Sequence, residues 1–193
     1  MASKPRKNPL KSEPVVYALI TFTIPLVFIL VAAVCSGWFN LYENALSDLG
    51  HATRSNVAPL FNIGLSLGGV LIAIGGAKYL RSLSRDLEVL VALLGYSLVL
   101  VAVFDEVYGR LHFYVSVLFF VLLALCVLRA ATILESKIMR ALAVAFLLAS
   151  IALWILHFAA RIPRGAAIPE LVSAIGALPF YTALYAKAAR KTG

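Results

Sequence analysis

An all-α bundle of six transmembrane helices, with N- and C-termini cytoplasmic, is the fold that three features of this 193-residue chain predict. First, 62% of the residues are hydrophobic and 13% charged, against about 45–50% apolar and about 25% charged in an ordinary soluble domain. Too few polar groups remain to wet the surface of a globule, which excludes a soluble enzyme, a disordered tail, a coiled coil and a nucleic-acid module. Second, stretches free of Asp, Glu, Lys and Arg recur at 14–42, 55–77, 89–104, 111–128, 141–160 and 171–186, near the ~20 apolar residues that a crossing needs. Third, these runs do not alternate polar and apolar residues, as membrane strands would. Helices satisfy every backbone group within lipid, so each run reads as a helix.

The first run follows Lys4, Arg6, Lys7 and Lys11, as in a signal peptide. It exceeds the roughly 7–15 residues of a signal h-region, and is read as a retained helix. Ala33-Val34-Cys35 lacks the small residue expected before a lipoprotein cysteine. Pro25 should kink this helix. The connection that follows, Asn40 to His51, places Leu41, Ala45 and Leu49 four apart. That spacing predicts a short interfacial helix with Glu43, Ser47 and Asp48 on its other side, ended by Gly50. The second span holds Gly64-x-x-x-Gly68, Gly69, Gly75 and Gly76, which suits close packing inside the bundle rather than homodimerisation.

The third run is short, about 24 Å at the helical rise. To cross a core of about 30 Å it must carry Asp105 and Glu106 to the interface, or borrow Glu88 at the other end. His112 opens the fourth span with Ser116 one turn on. The fifth span ends in Trp154, His157 and Arg161, which share one face, with Arg164 beyond. Pro163 disfavours helix at Ile162. Pro169 and Glu170 fit the start of the sixth span, and Pro179 should kink it.

Charge sets the orientation. All but four of the 17 Lys and Arg lie at the two termini and the even-numbered connections, including Lys78, Arg81, Arg85, Arg129, Lys137, Arg140, Lys187, Arg190 and Lys191. Arg54, Arg110, Arg161 and Arg164 alone lie on the other side. The positive-inside rule accounts for the net charge of +8, without nucleic acid, and puts both termini in the cytoplasm of a cell-membrane protein. The predicted organisation is a basic tail 1–13, a membrane domain 14–188 and a basic tail 189–193. Trp38, Tyr42, Tyr108 and Trp154 mark the outer boundary, and Tyr17, Tyr79 and Tyr185 the inner one. Cys35 and Cys126 fall at different depths, so no disulfide joins them. Glutamine is absent, which fits a thermophilic source.

His51, His112 and His157 all fall on the outer side, with Glu43, Asp48, Asp105, Glu106 and Glu170. Three functions compete for this cluster. As a binding site, Glu43, Ser47, Asp48, Asn62, Arg161 and Arg164 hold a ligand, with the two arginines on an anionic lipid headgroup; a partner membrane helix is another occupant. As a membrane-embedded hydrolase or lipid-modifying enzyme, Asp105, Glu106, His112 and His157 are the acid/base candidates. In that case His51, His112 and His157 are candidate zinc ligands, although no His-x-x-x-His spacing is present. As a small transporter, the short third and sixth runs end the two inverted halves. A purely structural cluster, in which acids and bases neutralise one another, is the alternative to all three.

Ser47-Asp-Leu-Gly50, Phe61-Asn-Ile-Gly-Leu65, Phe104-Asp-Glu106 with Gly109 and His112, and Phe119-Phe120 resemble the domain-of-unknown-function 998 family of six-helix prokaryotic integral membrane proteins. The resemblance implies that Ser47, Asn62, Glu106 and His112 form the family's polar set. Ser47-x-x-x-His51 also resembles the ceramidase and adiponectin-receptor-like membrane hydrolases. Those have seven helices and a late His-x-x-x-His, where this chain has His157 alone.

Overall fold

A computed structural model describes residues 13–192. Its helices are α1 (Glu13–Ser36), α2 (Ala58–Gly75), α3 (Arg85–Val103), α4 (Arg110–Ile133), α5 (Lys137–Ala160) and α6 (Ala167–Thr192). One π-helical turn, Gly76–Leu80, prolongs α2. All six are long and apolar enough to cross a membrane. Residues 189–192 are the last turn of α6 rather than a separate tail. Lys4, Arg6, Lys7 and Lys11 lie outside the described residues.

Several boundaries differ from those the uncharged runs suggest. α1 stops at Ser36 because Gly37 turns left-handed (φ 75°). The expected interfacial helix shrinks to one 3-10 turn, Leu46–Gly50. Asn40 Oδ1 accepts from the backbone N–H of Tyr42 (2.8 Å) and Glu43 (3.2 Å), and Asn44 Oδ1 from that of Asn40 (2.9 Å). Such local bonds offer the backbone an alternative to helix. α3 begins at Arg85, so Asp86 and Glu88 occupy its first turn, where the helix dipole favours carboxylates. Its 19 residues then span about 28 Å, and Asp105 and Glu106 need not be carried into the helix.

The packing order explains where an interior can open. α1 packs on α2 and α6, α2 on α3, α3 on α4, and α4 on α6, which closes a five-helix ring. α5 lies outside the ring against α4 and α6, and most of its surface faces outward. The α2 glycines serve this packing. A Cβ on Gly69 would lie 2.5 Å from the Gly95 carbonyl oxygen on α3, and one on Gly68 would lie 2.8 Å from Pro25 Cγ on α1. Small residues let the backbones approach.

The two ends differ in chemistry. At one end Lys78 pairs with Glu13 (2.9 Å), Arg129 with Asp86 (2.5 Å) and Lys187 with Glu135 (3.3 Å), and Lys191 Nζ donates to the Ser82 carbonyl (2.5 Å). Tyr185 is fully buried there, in tilted ring contact with Tyr79 and Tyr181, so it is a core residue and not part of an interfacial belt. The histidines and the other five carboxylates gather at the opposite end. Both cysteines are free.

Candidate functional site

At the histidine end, α4, α5, the start of α6 and the two turns before α2 and α4 surround a cavity of about 760 Å³. Its polar wall is made by Ser47, Glu106, His112, Ser116, His157 and Glu170, with His51, Thr53 and Arg54 nearer the mouth. Trp154, Phe120, Phe113 and Phe158 supply the apolar side. Below it, inside the five-helix ring, runs a second, narrow cavity of about 120 Å³ whose wall is almost wholly apolar. The two share Ser47, Ser116, Phe120 and Glu170. From Glu170 to Leu184 along α6, the slot follows the helix for about 21 Å. The site is therefore a polar chamber adjoining an apolar slot through the bundle, with four side chains common to both walls.

Local backbone geometry aims the polar groups. Gly109 (φ 53°) turns the chain sharply into α4. That brings Phe104 O to 2.7 Å from His112 Nδ1. Arg161, left-handed at φ 57°, ends α5, and the returning chain sets Pro163 O 2.9 Å from His157 Nδ1. A carbonyl oxygen only accepts, so both Nδ1 atoms carry the proton. The neutral form of each imidazole then has its lone pair at Nε2. That of His112 lies 3.3 Å from Ser116 Oγ; that of His157 has no partner among the described residues, in a side chain only 7% exposed. This is how proteins fix the tautomer of a working histidine.

The carboxylates divide similarly. Ser47 Oγ donates to Glu106 Oε1 (2.7 Å). Burial pushes the Glu106 carboxyl up to about 7; the Ser47 bond works against this, and the neighbouring Asp48 and Asp105 add to it. Leu46 N–H donates to Glu170 Oε2 (2.6 Å), across 124 residues of sequence. That bond anchors the 3-10 turn to the first turn of α6.

The remaining candidates have structural duties. Asp105 is buried, and its Oδ1 accepts from Val107 N (2.8 Å), capping the turn before α4. Asp48 Oδ2 accepts from Ala45 N (2.9 Å) and Asn44 Nδ2 (3.1 Å). Asn62 Nδ2 donates to Gly50 O (2.9 Å), and its buried Oδ1 has no partner. Glu43 forms an exposed ion pair with Arg164 (3.3 Å), and Arg161 is exposed. None of these six lines the chamber. His51, His112 and His157 all do, yet among the described residues no three His, Cys, Asp or Glu side chains come close enough to hold a metal ion. The zinc expectation therefore has no geometric support. Glu170, read in the sequence as a helix-start residue and a member of the outer cluster but not as a site candidate, lines both cavities, as does Ser116. The spacing of Ser116 four residues after His112 on a helix was the available signal.

Residues 19–187 match the family of proteins of unknown function DUF998. Comparison with curated proteins and with solved structures gives no match.

Proposed function

The chain belongs to the DUF998 family of proteins of unknown function, and from that premise we propose that it is a cell-membrane protein that binds a single-chain amphiphile. The head sits in the polar chamber and the chain in the apolar slot; the basic end faces the cytoplasm and the chamber opens outward. The observation that carries this reading is that the two cavities adjoin, with Ser47, Ser116, Phe120 and Glu170 in both walls. A hydrophobic slot with a few convergent polar groups at one end is the usual form of a ligand site. The arginine pair takes no part, since Arg164 is engaged by Glu43 and neither arginine lines the chamber. Replacing Ala174, which lines the slot below Glu170, with Trp should fill it. Native mass spectrometry should then show loss of the amphiphile that co-purifies with the unmodified protein. Equal retention by both proteins would defeat the proposal.

A second reading, a membrane-embedded hydrolase or lipid-modifying enzyme, is favoured by the Ser116–His112 pair. A hydroxyl beside a histidine whose other nitrogen is anchored is the arrangement of an activated nucleophile. Covalent labelling by a fluorophosphonate, abolished by Ser116→Ala, would support it. An unlabelled protein would count against it.

A further inference from the structure

The proposed binding site has a chemical bias in its polar atoms. His157 offers a lone pair at Nε2, because its Nδ1–H is committed to the Pro163 carbonyl, whereas that of His112 already faces the Ser116 hydroxyl at 3.3 Å. Glu106 and Glu170 offer carboxylate oxygens, and the hydroxyl proton of Ser47 is already given to Glu106. The wall is therefore rich in acceptors and poor in donors. Arg54, exposed at the mouth, is the one cationic side chain among the described residues that lines either cavity. A phosphate head would face these acceptors without a donor in reach. A head without donors would displace the water that these acceptors face and leave them unpaired, which is unfavourable; a head that supplies N–H groups and positive charge avoids this. His157 adds an independent sign, since it is more than nine-tenths buried with an unpartnered Nε2 on the chamber wall.

We infer that the head held here is a primary ammonium, bound among Glu106, Glu170 and the Nε2 atom of His157, on an amphiphile with one alkyl chain. The inference rests on the amphiphile-binding reading and narrows its ligand. It replaces the anionic headgroup that the arginines suggest in the sequence. The ammonium provides three N–H donors and stays charged at neutral pH, its pKa being near that of lysine, about 10.4. Charge-assisted bonds to carboxylates are the strong ones.

The test uses the Trp38→Phe protein in phosphatidylcholine nanodiscs, which leaves Trp154 on the chamber wall as the sole tryptophan. Its emission is followed during titration with hexadecylamine, hexadecanol and hexadecyl phosphate at equal mole fractions in the bilayer. Hexadecylamine should half-saturate at a mole fraction about tenfold or more below hexadecanol, the equivalent of about 1.4 kcal/mol, and hexadecyl phosphate should bind weakest. Glu170→Gln and Glu106→Gln should each lose the preference for the amine while still binding hexadecanol, which also shows that they are folded. If the alcohol or the phosphate binds as tightly as the amine, or if both variants keep the preference, the ammonium assignment is wrong and the amphiphile site stands. If none of the three gives a saturable change, the site itself is refuted.

Discussion

Glu106→Gln tests the electrostatics of the chamber without a ligand. The folded protein holds this carboxyl at about 7, against 4.5 for a free one. That difference corresponds to about 3 kcal/mol if fully expressed. The side chain is only half-buried, so screening by cavity water reduces it to about 1–2 kcal/mol. A group whose pKa is raised by folding stabilises the protonated folded state. Its contribution is complete below 4.5 and is lost as pH rises through about 7. Gln keeps an acceptor for Ser47 but cannot ionise. Thermal unfolding of the two proteins in one detergent, followed by circular dichroism at pH 4.5, 6, 7 and 8, isolates the effect, because every other titrating group is common to both. The unmodified protein should lose about 1–2 kcal/mol relative to the variant between pH 4.5 and pH 8. A constant difference, or a relative gain with pH, would refute the claim that burial and the neighbouring acids raise the Glu106 carboxyl above its ordinary value.

The packing and orientation claims are tested separately. Gly69→Ala and Gly95→Ala should each destabilise by about 1–3 kcal/mol, because the added carbon meets opposing backbone rather than a side chain that can move. The double variant should lose clearly less than the sum, since the first separation makes room for the second; additive losses in thermal unfolding would show that the two glycines do not touch. In a Cys35→Ser background, Arg110→Cys should react with an impermeant maleimide added outside intact cells and Lys137→Cys should not; the reverse labelling would invert the orientation. Arg161→Ala with Arg164→Ala should leave the co-purified amphiphile unchanged by mass spectrometry and cost no more than about 1 kcal/mol for the exposed ion pair. Loss of the amphiphile would return the arginines to the binding site.

The helices were legible because lipid excludes charge and leaves an unmistakable run. Their ends were less so, since a helix stops where local bonds outbid it, as at Gly37 and Asn40, and starts where charges suit its dipole, as at Asp86 and Glu88. The site was legible only in part. That the histidines and Glu106 share one end follows from counting crossings. That Ser47 meets Glu106 across 59 residues, and Leu46 meets Glu170 across 124, depends on how the connections stack on one another, which no local pattern encodes. The slot depends on five helices closing a ring with α5 left outside, and the weak periodic bias of nearly uniformly apolar segments does not determine their neighbours.

The candidate residues separate by where their remaining hydrogen-bonding capacity points. Asp48 and Asp105 direct theirs to their own connections, Asn62 donates from α2 to the Gly50 carbonyl with its Oδ1 unpartnered away from the chamber, and Glu43 pairs with Arg164. Loss of any of them should loosen a turn or an exposed pair. Glu106, Glu170 and His157 each receive or give one bond that fixes their orientation and keep an acceptor on the chamber wall, where His112 stands beside them with its Nε2 facing Ser116 Oγ. Such acceptors do little for folding, since a closed apolar end would leave no polar group short of a partner. Their arrangement becomes favourable when a donor arrives from outside the chain. The same four side chains should therefore divide the two kinds of measurement. Substitutions at Glu43, Asp48, Asp105 and Asn62 should move stability and spare ligand preference. Substitutions at the chamber four that preserve shape, such as Glu170→Gln, should move ligand preference, and among them Glu106→Gln should also change how stability varies with pH.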